Sequence, residues 1–308
     1  MIKQLKYKNI DWINVESPTT EDVEYLKKRF DLHPVAAAEL GSPSARSKVD
    51  VYDDFIYLIL HFPNLHYGHN DGELSKTTSE IDFIIGKDFL ITTSYEVLEP
   101  MQEFGKILEA NSVFDHSKRE THAGFIFYYI IRHLYQTLGD SLIHIESSLE
   151  RAEKNIFAGK EKEMVRVLAN VNRNLLDFRW ATKSHRELLE SLALAGQEFF
   201  GNDFAYYLKS IIGEQEKVWN TLEGHSETFN DLRNTNESLL SIKTNEITKA
   251  LAIVAAVFLP VSLIGQIFGM TLTSIPLNNH PLGFVYVVSS MAAVILLTYG
   301  FFRHKKWF

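Results

Sequence analysis

Side chains of metal-binding type lie close together in the stretch HFPNLHYGHND. They are His61, His66, His69 and Asp71. Imidazole and carboxylate groups ligate zinc and related ions, but the chain has no cysteine to add a thiolate, and the spacing is not the i, i+4 spacing of a metal site on a helix. The stretch also fits a polar loop between two strands, with Gly68 and Gly72 as turn residues. We favour the loop, and a metal site stays the alternative.

A second set of polar groups lies inside an uncharged stretch. No Asp, Glu, Lys or Arg occurs between Ala250 and Phe302, yet Ser262 and Gln266 fall within it and continue a polar stripe that passes through Thr248. Polar groups at membrane depth usually face a bundle interior or a water-filled path. Two helices cannot enclose a path, so a pore requires a ring of identical chains with this helix innermost. Alternatively, these polar groups hydrogen-bond between packed helices.

Motifs of enzymatic chemistry are missing from the sequence. It contains no G-x-G-x-x-G, no Walker loop, no nucleophile elbow and no recognisable nucleophile and base pair. We therefore predict that the protein is not an enzyme. The net charge is −8, and because four cations and one anion follow residue 245, the first 245 residues carry −11. Such an acidic segment does not suit nucleic acid as a partner.

The uncharged stretch is long enough for two membrane helices. Ala250–Phe268 and Gly283–Phe302 each provide about 20 mostly apolar residues, which span the ~30 Å hydrocarbon core as a helix. Residues 271–282 contain two prolines and two asparagines and predict a turn. We expect transmembrane helices over 250–270 and 283–302, joined by an extracellular loop. Two buried helices of a water-soluble protein are the disfavoured alternative.

Charges beside the spans predict their orientation. The flanking cations are Lys243, Lys249, Arg303, Lys305 and Lys306. Because the connecting loop has no cation, the positive-inside rule places both chain ends, including the basic tail 303–308, in the cytoplasm. The start, MIKQLKYKNIDW, lacks the apolar segment of a signal peptide, so we expect none.

The sequence before the spans predicts an α/β domain and then helices. We expect a cytoplasmic α/β domain over 1–120, a helical hairpin over 121–203 and a stalk helix over 204–249. The predicted strands are Ile10–Val15, Phe55–Phe62, Ser79–Gly86 and Asp88–Ser94, and the predicted helices are Pro18–Phe30, Pro34–Leu40, Gly124–Lys154 and Glu161–Leu194. Pro260 is the only proline between Phe204 and Phe268, so we expect the stalk to continue into the membrane as one helix of ~95 Å.

The apolar stretch and its flanks resemble a known family. The segments TNEITKALAI from Thr244, FLPVSLI from Phe258 and QIFGM from Gln266 resemble the first membrane helix of the CorA-type divalent cation transporters. The second span and the ending KKWF resemble the family's second helix and basic tail, and the soluble part agrees in outline, as with His-Pro at 33–34. The resemblance covers the chain and is most specific over 240–308.

This resemblance implies a funnel-shaped homopentamer in a prokaryotic inner membrane, with an α+β cytoplasmic domain, a long stalk helix and two C-terminal transmembrane helices. It implies passive influx of Mg²⁺, or of Co²⁺ or Ni²⁺, driven by the membrane potential and closed by cytoplasmic metal. The implied pore-lining residues are Asn245, Thr248, Leu251, Ala255, Leu259, Ser262 and Gln266. In the family a Gly-Met-Asn loop holds hydrated Mg²⁺ at the outer mouth, and its counterpart here is Gly269, Met270 and Thr271.

The sequence departs from the family pattern at the mouth and in the lumen. Thr271 offers a hydroxyl where the family offers a carboxamide, and Leu277 stands where many relatives carry an acidic residue. Mg²⁺ sheds water reluctantly, so a ring of Thr271 would recognise its hydration shell with fewer acceptors. Thr248 and Gln266 replace positions that are often apolar and small, respectively, which makes the lumen more polar.

These departures leave more than one function open. We favour a channel for Mg²⁺ or a broader set of divalent cations; a transporter of Zn²⁺ or another transition metal, and a pentameric sensor without transport, are the alternatives. We expect apolar rings between Leu251 and Leu259 to form the gate. Acidic residues within Glu214–Glu237, or in the N-terminal domain, are expected to sense cytoplasmic divalent cations, but no motif identifies which.

Overall fold

The computed structural model divides the chain into two compact units, Met1–Arg233 and Asn234–Phe308. The described residues are 2–63, 78–110, 122–270 and 282–305. One long helix, α7 (Ala205–Gly269), contributes to both units, and each unit is described by itself below.

The first unit is built on a six-stranded sheet. Its strands are β1 (Ile2–Tyr7), β2 (Ile10–Glu16), β3 (Lys48–Val51), β4 (Phe55–Pro63), β5 (Thr78–Gly86) and β6 (Phe89–Ser94). The spatial order is β1-β2-β6-β5-β4-β3, in which β2 and β6 are parallel and the other neighbours antiparallel. The central strands β4, β5 and β6 are buried on both faces, which agrees with the nearly continuous apolar sequence of β4, while β5 and β6 also bury polar residues.

Helices cover both faces of this sheet. They are α1 (Thr20–Phe30), α2 (Pro34–Glu39), α3 (Glu99–Glu109), α4 (Gly124–Phe157), α5 (Glu161–Thr182) and α6 (His185–Phe200). The helices α1 and α2 share one core with the sheet, centred on Ile13, Tyr57 and Ile84. On the opposite face Trp12 meets Phe104 of α3 edge-on, with 5.5 Å between ring centroids.

The start of α1 is fixed by its own sequence. Thr19 caps the helix, because its hydroxyl accepts the Asp22 N–H at 3.2 Å while the Asp22 carboxylate accepts the Thr19 N–H at 3.0 Å. This reciprocal pair satisfies two backbone donors that a helix start otherwise leaves open. The α2 helix begins at Pro34, where a missing N–H costs nothing.

The prediction of one helix over Glu161–Leu194 is wrong. The helix is interrupted at Lys183 and Ser184, between α5 and α6, and α6 continues to Phe200. The fully buried His185 explains the break: its Nε2–H donates to the His61 carbonyl at 2.8 Å, and its Nδ1 lies 2.8 Å from the Tyr135 hydroxyl. Consequently 122–203 holds three helices and not a hairpin of two.

The second unit consists of the end of α7 and the helix α8 (Gly283–His304). Both helices are long and apolar enough to cross a membrane, and none of their apolar windows is buried within the chain. Pro260 lies inside α7 without ending it. Proline has no backbone N–H, so one hydrogen bond of the helix is missing at this position, a loss that transmembrane helices tolerate.

Most elements agree with the sequence-based predictions. The observed β2, β4, β5, β6, α1, α2 and α4 lie at the predicted places, and the single helix predicted from Phe204 is confirmed within one residue at each end. The prediction of an α+β domain, a long helix and two C-terminal apolar helices is confirmed. The strands β1 and β3 and the helix α3 were not predicted.

Candidate functional site

The candidate site lies along the apolar end of α7. Its side chains remain open to their surroundings: Leu251 is 65% exposed and Leu259 is 70% exposed. An apolar helix in this condition must be covered by lipid or by another protein chain. The described part of the second unit therefore holds a surface that the chain does not cover by itself.

The predicted pore-lining residues share one exposed face of α7. They are Asn245, Thr248, Leu251, Ala255, Leu259, Ser262 and Gln266. A less exposed face, which includes Ile253, Val257 and Ile264, lies on the other side of the helix. Gly265 lies between the two faces and beside α8, because an added Cβ would be 3.3 Å from Met291 Cε. The stripe is thus more exposed than the face opposite to it.

Hydroxyl groups beside and within the spans bond to their own helices. Thr244 donates to the Leu240 carbonyl at 2.9 Å, and Thr248 donates to the Thr244 carbonyl at 2.9 Å. In α8, Ser290 donates to the Val287 carbonyl at 2.7 Å. Because the proton of Thr248 is used inside the helix, its oxygen offers outward only acceptor lone pairs. Such an oxygen suits a cation or a water of its hydration shell.

The predicted mouth residues divide between described and undescribed parts of the chain. Gly269 ends α7, and the exposed Met270 follows it with its N–H 3.5 Å from the Ile267 carbonyl. Thr271 and the rest of the predicted loop up to residue 281 lie outside the described residues. The Thr271 ring therefore stays a prediction.

The histidine cluster is only partly described. His61 is half-buried at the end of β4, where its Nδ1 lies 2.8 Å from the Ser47 hydroxyl and its Nε2 lies 3.3 Å from Glu80 Oε2. His66, His69 and Asp71 lie outside the described residues. Within the described ranges, no group of three or more His, Cys, Asp or Glu side chains is arranged to hold a metal ion.

Acidic residues on α7 before its apolar segment include two with basic partners. Glu216 lies 3.2 Å from Arg186, and Glu223 lies 2.9 Å from Arg179, in both cases between partly exposed side chains. An exposed ion pair contributes at most about 1 kcal/mol, so a divalent cation can compete with either pair. The geometry does not single out a sensing residue among the acids of this segment.

Sequence reasoning missed a pair of buried acids, Glu80 and Asp82. The sequence predicts a strand over Ser79–Gly86, and that strand is present as β5. Alternate residues of a strand face the same side, so the spacing i, i+2 was a signal that these acids share one environment. Their burial, 7% and 0% exposed, depends on the helices packed above the sheet and was not visible in the strand itself.

Comparisons with known proteins agree with this architecture. The chain matches the family described as CorA-like Mg2+ transporter protein over residues 7–304. It is 23% identical over 297 residues to a cobalt/magnesium transport protein CorA from Thermotoga maritima, which covers 96% of this chain and 83% of that protein. It is also 23% identical over 300 residues to the protein of the same name from Methanocaldococcus jannaschii, covering 96% and 90% of the two chains.

The fold also matches a solved structure. The complete structure of the CorA magnesium transporter from Methanocaldococcus jannaschii aligns with a TM-score of 0.81 at 20% sequence identity, over 99% of this chain and 94% of that one. The match includes the α/β unit, the long helix and the two apolar helices. With a family match that runs almost from end to end, the chain belongs to the family of CorA-like Mg²⁺ transporter proteins.

Proposed function

We propose that this protein is a membrane channel for divalent metal cations, with Mg²⁺ as its first candidate, and that influx is passive and driven by the membrane potential. Membership of the family supports the class of function. The observation that carries the proposal is the stripe of α7 that ends in Ser262 and Gln266 and is more exposed than the opposite face of the helix. A polar face on an otherwise apolar span suits a water-filled path.

The stripe requires several copies of the chain. In a single chain Ser262 and Gln266 would face lipid, where an unsatisfied polar group is costly. A closed ring with α7 innermost removes that cost, because the same face then lines water. We propose a homopentamer, the assembly implied by the resemblance, surrounded by membrane lipid. A basic flank at both ends of the spans supports cytoplasmic termini.

The apolar positions of the stripe are proposed as its gate. Leu251, Ala255 and Leu259 interrupt the polar positions at successive turns of α7. A narrow ring of apolar side chains blocks ions by dewetting, since a hydrated cation cannot shed its water there without replacement ligands. A movement of α7 that widens these rings would open the path.

The outer mouth is proposed at Gly269, Met270 and Thr271. Mg²⁺ keeps most of its water, so a ring at the mouth would select the hydrated ion through hydrogen-bond acceptors and not through direct ligation. Each Thr271 supplies one hydroxyl for this purpose. The ion is the cargo of the channel, and we further propose that cytoplasmic divalent cations bound by acidic residues of the soluble part close it.

Ion uptake by the purified protein in liposomes tests this function. Native protein, Thr271→Asn and the matched control Thr273→Asn are compared with Mg²⁺ and then with Zn²⁺, Ni²⁺ and Co²⁺. We expect native protein and the control to take up Mg²⁺ equally, and Thr271→Asn to change the order of preference among the ions. Uptake of Zn²⁺ without Mg²⁺ would replace the proposal by the transition-metal transporter. No uptake of any ion by any variant would favour the sensor without transport.

A further inference from the structure

A cluster of buried polar side chains lies at one end of the sheet face that α1 and α2 cover. Glu80 and Asp82 of β5 face this side together with Tyr57 and His61 of β4, and Tyr95 joins them from the segment after β6. Neither the proposed path nor the mouth uses these residues. Burying two carboxyl groups side by side is costly unless something neutralises one of them.

Asp82 is the more enclosed acid. It is fully buried, and its Oδ2 accepts from the Tyr57 hydroxyl at 3.0 Å and lies 3.3 Å from the Tyr95 hydroxyl. Its other oxygen, Oδ1, is also buried and faces no donor in the described part of the chain. The carboxyl group lies on the same face of β5 as that of Glu80, two residues before it. Burial, and then the charge of Glu80, raise the pKa of Asp82 well above its ordinary range.

Glu80 has donors of its own. Both of its carboxylate oxygens accept the Ser44 N–H, at 2.9 and 2.7 Å, and His61 Nε2 lies 3.3 Å from Oε2. The hydrogen bond to Glu80 raises the pKa of His61, while partial burial opposes that rise. A carboxylate that accepts these N–H groups is in its acceptor form. A contact between it and Asp82 is therefore attractive only if Asp82 supplies a proton.

Within the described residues, the elements around the cluster supply no other neutralising charge to Asp82. From β3, Lys48 approaches the Tyr57 ring at 5.3 Å, but its ammonium is paired with Glu39 and Asp50, each at 2.5 Å. The pKa of Tyr57 is raised, chiefly by burial and next by Asp82, so its hydroxyl stays neutral. Other described polar groups near the cluster are Ser44, Ser47, Thr78, Tyr95 and Glu96, and His185 and Tyr135 lie behind His61 on α6 and α4.

We propose that Glu80 and Asp82 form a proton-binding site, in which one proton on Asp82 is shared with Glu80 and holds the connection between α2 and β3 against the sheet. This connection is residues 40–47. It is attached to the cluster through the Ser44 N–H on Glu80, the Ser44 carbonyl 3.1 Å from His61 Nε2, and the Ser42 carbonyl that accepts from Tyr95 at 3.0 Å.

A small cavity gives the proton a route to solvent. Its volume is about 280 Å³, and its lining includes Ser44, His61, Thr78, Glu80 and Tyr95. Loss of the shared proton leaves two buried negative charges in contact. The connection is the element that can relieve this, since opening it admits water to Glu80 and Asp82. A rise in pH therefore favours release of residues 40–47 from the cluster, and a fall in pH favours their attachment to it.

Hydrogen exchange at the Ser44 amide in the full chain tests the site. Asp82 is protonated when the connection is closed and can ionise when it is open. The equilibrium constant for opening therefore rises about tenfold per pH unit between the ordinary pKa of a carboxyl group and the raised pKa of Asp82. Above the raised pKa it no longer changes with pH. Base catalysis of exchange adds a further tenfold per unit to every amide. Between pH 4.5 and 5.5, which lies below the ordinary pKa of about 6.5 for histidine, His61 is mainly protonated in both states, and this isolates the contribution of Asp82.

The variant Asp82→Asn keeps the shape, cannot ionise and can donate an N–H to Glu80. We expect its Ser44 amide to lose the extra tenfold per pH unit, while the control Asp54→Asn, an exposed acid in the turn before β4, behaves as native. The native chain should also show the infrared carbonyl band of a protonated carboxyl at neutral pH, absent in Asp82→Asn. An unchanged pH slope in the variant, or no such band in the native chain, would overturn the proposal; the band needs no variant to fold.

Discussion

The two units of this chain bury their apolar residues in opposite ways. In the first unit, side chains such as Phe83 and Leu58 are fully enclosed by the chain's own helices and strands. In the second unit, the apolar windows of α7 and α8 are not buried within the chain at all. The first unit therefore covers its own core, whereas the second needs lipid or another protein chain to cover its apolar surface.

The largest expected difference between the two units is the loss of stability when a buried side chain is truncated. Phe83 is fully buried on β5, and its ring meets Phe127 of α4 edge-on with centroids 5.3 Å apart. We expect Phe83→Ala to lower the free energy of unfolding of the first unit by about 3–5 kcal/mol, since it removes apolar burial and leaves a cavity. Chemical denaturation of the detergent-solubilised protein, followed by far-ultraviolet circular dichroism, measures this change.

Leu259→Ala is the matched variant in the second unit. Because Leu259 is 70% exposed in the single chain, its truncation should leave the unfolding of the first unit unchanged. An equal loss of stability in both variants would mean that the two units unfold as one cooperative structure, and the contrast between them would not hold.

A polar substitution on the proposed gate should sharpen the comparison. Leu251→Asn places a carboxamide in an apolar ring, which gives water and ions a partner where dewetting otherwise blocks them. We expect the resting leak of divalent cations in liposomes to rise several-fold, equivalent to about 1 kcal/mol of the barrier. The first unit should keep its stability.

Val254→Asn controls for the effect of an amide as such. Val254 lies on α7 outside the predicted stripe and is also exposed in the single chain. Its substitution should lower yield or membrane insertion without raising the leak of the protein that does insert. A leak that rises equally in both variants would remove the argument for a gate at Leu251.

What the sequence could predict follows the same division. In the first unit, the spacing of apolar residues along the sequence identified the long helices and the central strands, because this pattern is local. The edge strands β1 and β3 were missed, since each is short or largely exposed and depends on pairing with a distant or buried neighbour. The break before α6 was missed because no Gly or Pro marks it; the buried bonds of His185 determine it.

The candidate site was predictable to a different extent. The phase of the polar stripe on α7 could be read from the sequence, because a continuous helix preserves its periodicity over many turns. The chemistry of Asp82 could not, since its environment combines β4, β5 and Tyr95, which are distant in sequence. In the proposed pore, the contacts that complete the path would come from other copies of the chain, and one sequence does not give contacts between chains.

The smallest predicted effect concerns the contact between the two apolar helices. At Gly265 a new Cβ would lie 3.3 Å from Met291 Cε, a close approach to the end of a flexible side chain. We expect Gly265→Ala to change the stability of the helix pair by less than about 1 kcal/mol, because Met291 can shift while alanine favours the helix. The thermal stability of the detergent-solubilised protein measures the net result.

Gly300→Ala separates these two contributions. Gly300 lies on α8 with nothing within 4 Å of an added Cβ, so alanine there brings the gain in helix propensity without the contact. We expect Gly300→Ala to be the more stable of the two variants. The difference between them is the free energy needed to displace Met291 in Gly265→Ala. If Gly265→Ala is as stable as Gly300→Ala, then α7 and α8 do not pack at Gly265. A loss at Gly265 far above 1 kcal/mol would instead mean that Met291 cannot move, as expected if neighbouring copies of the chain enclose it.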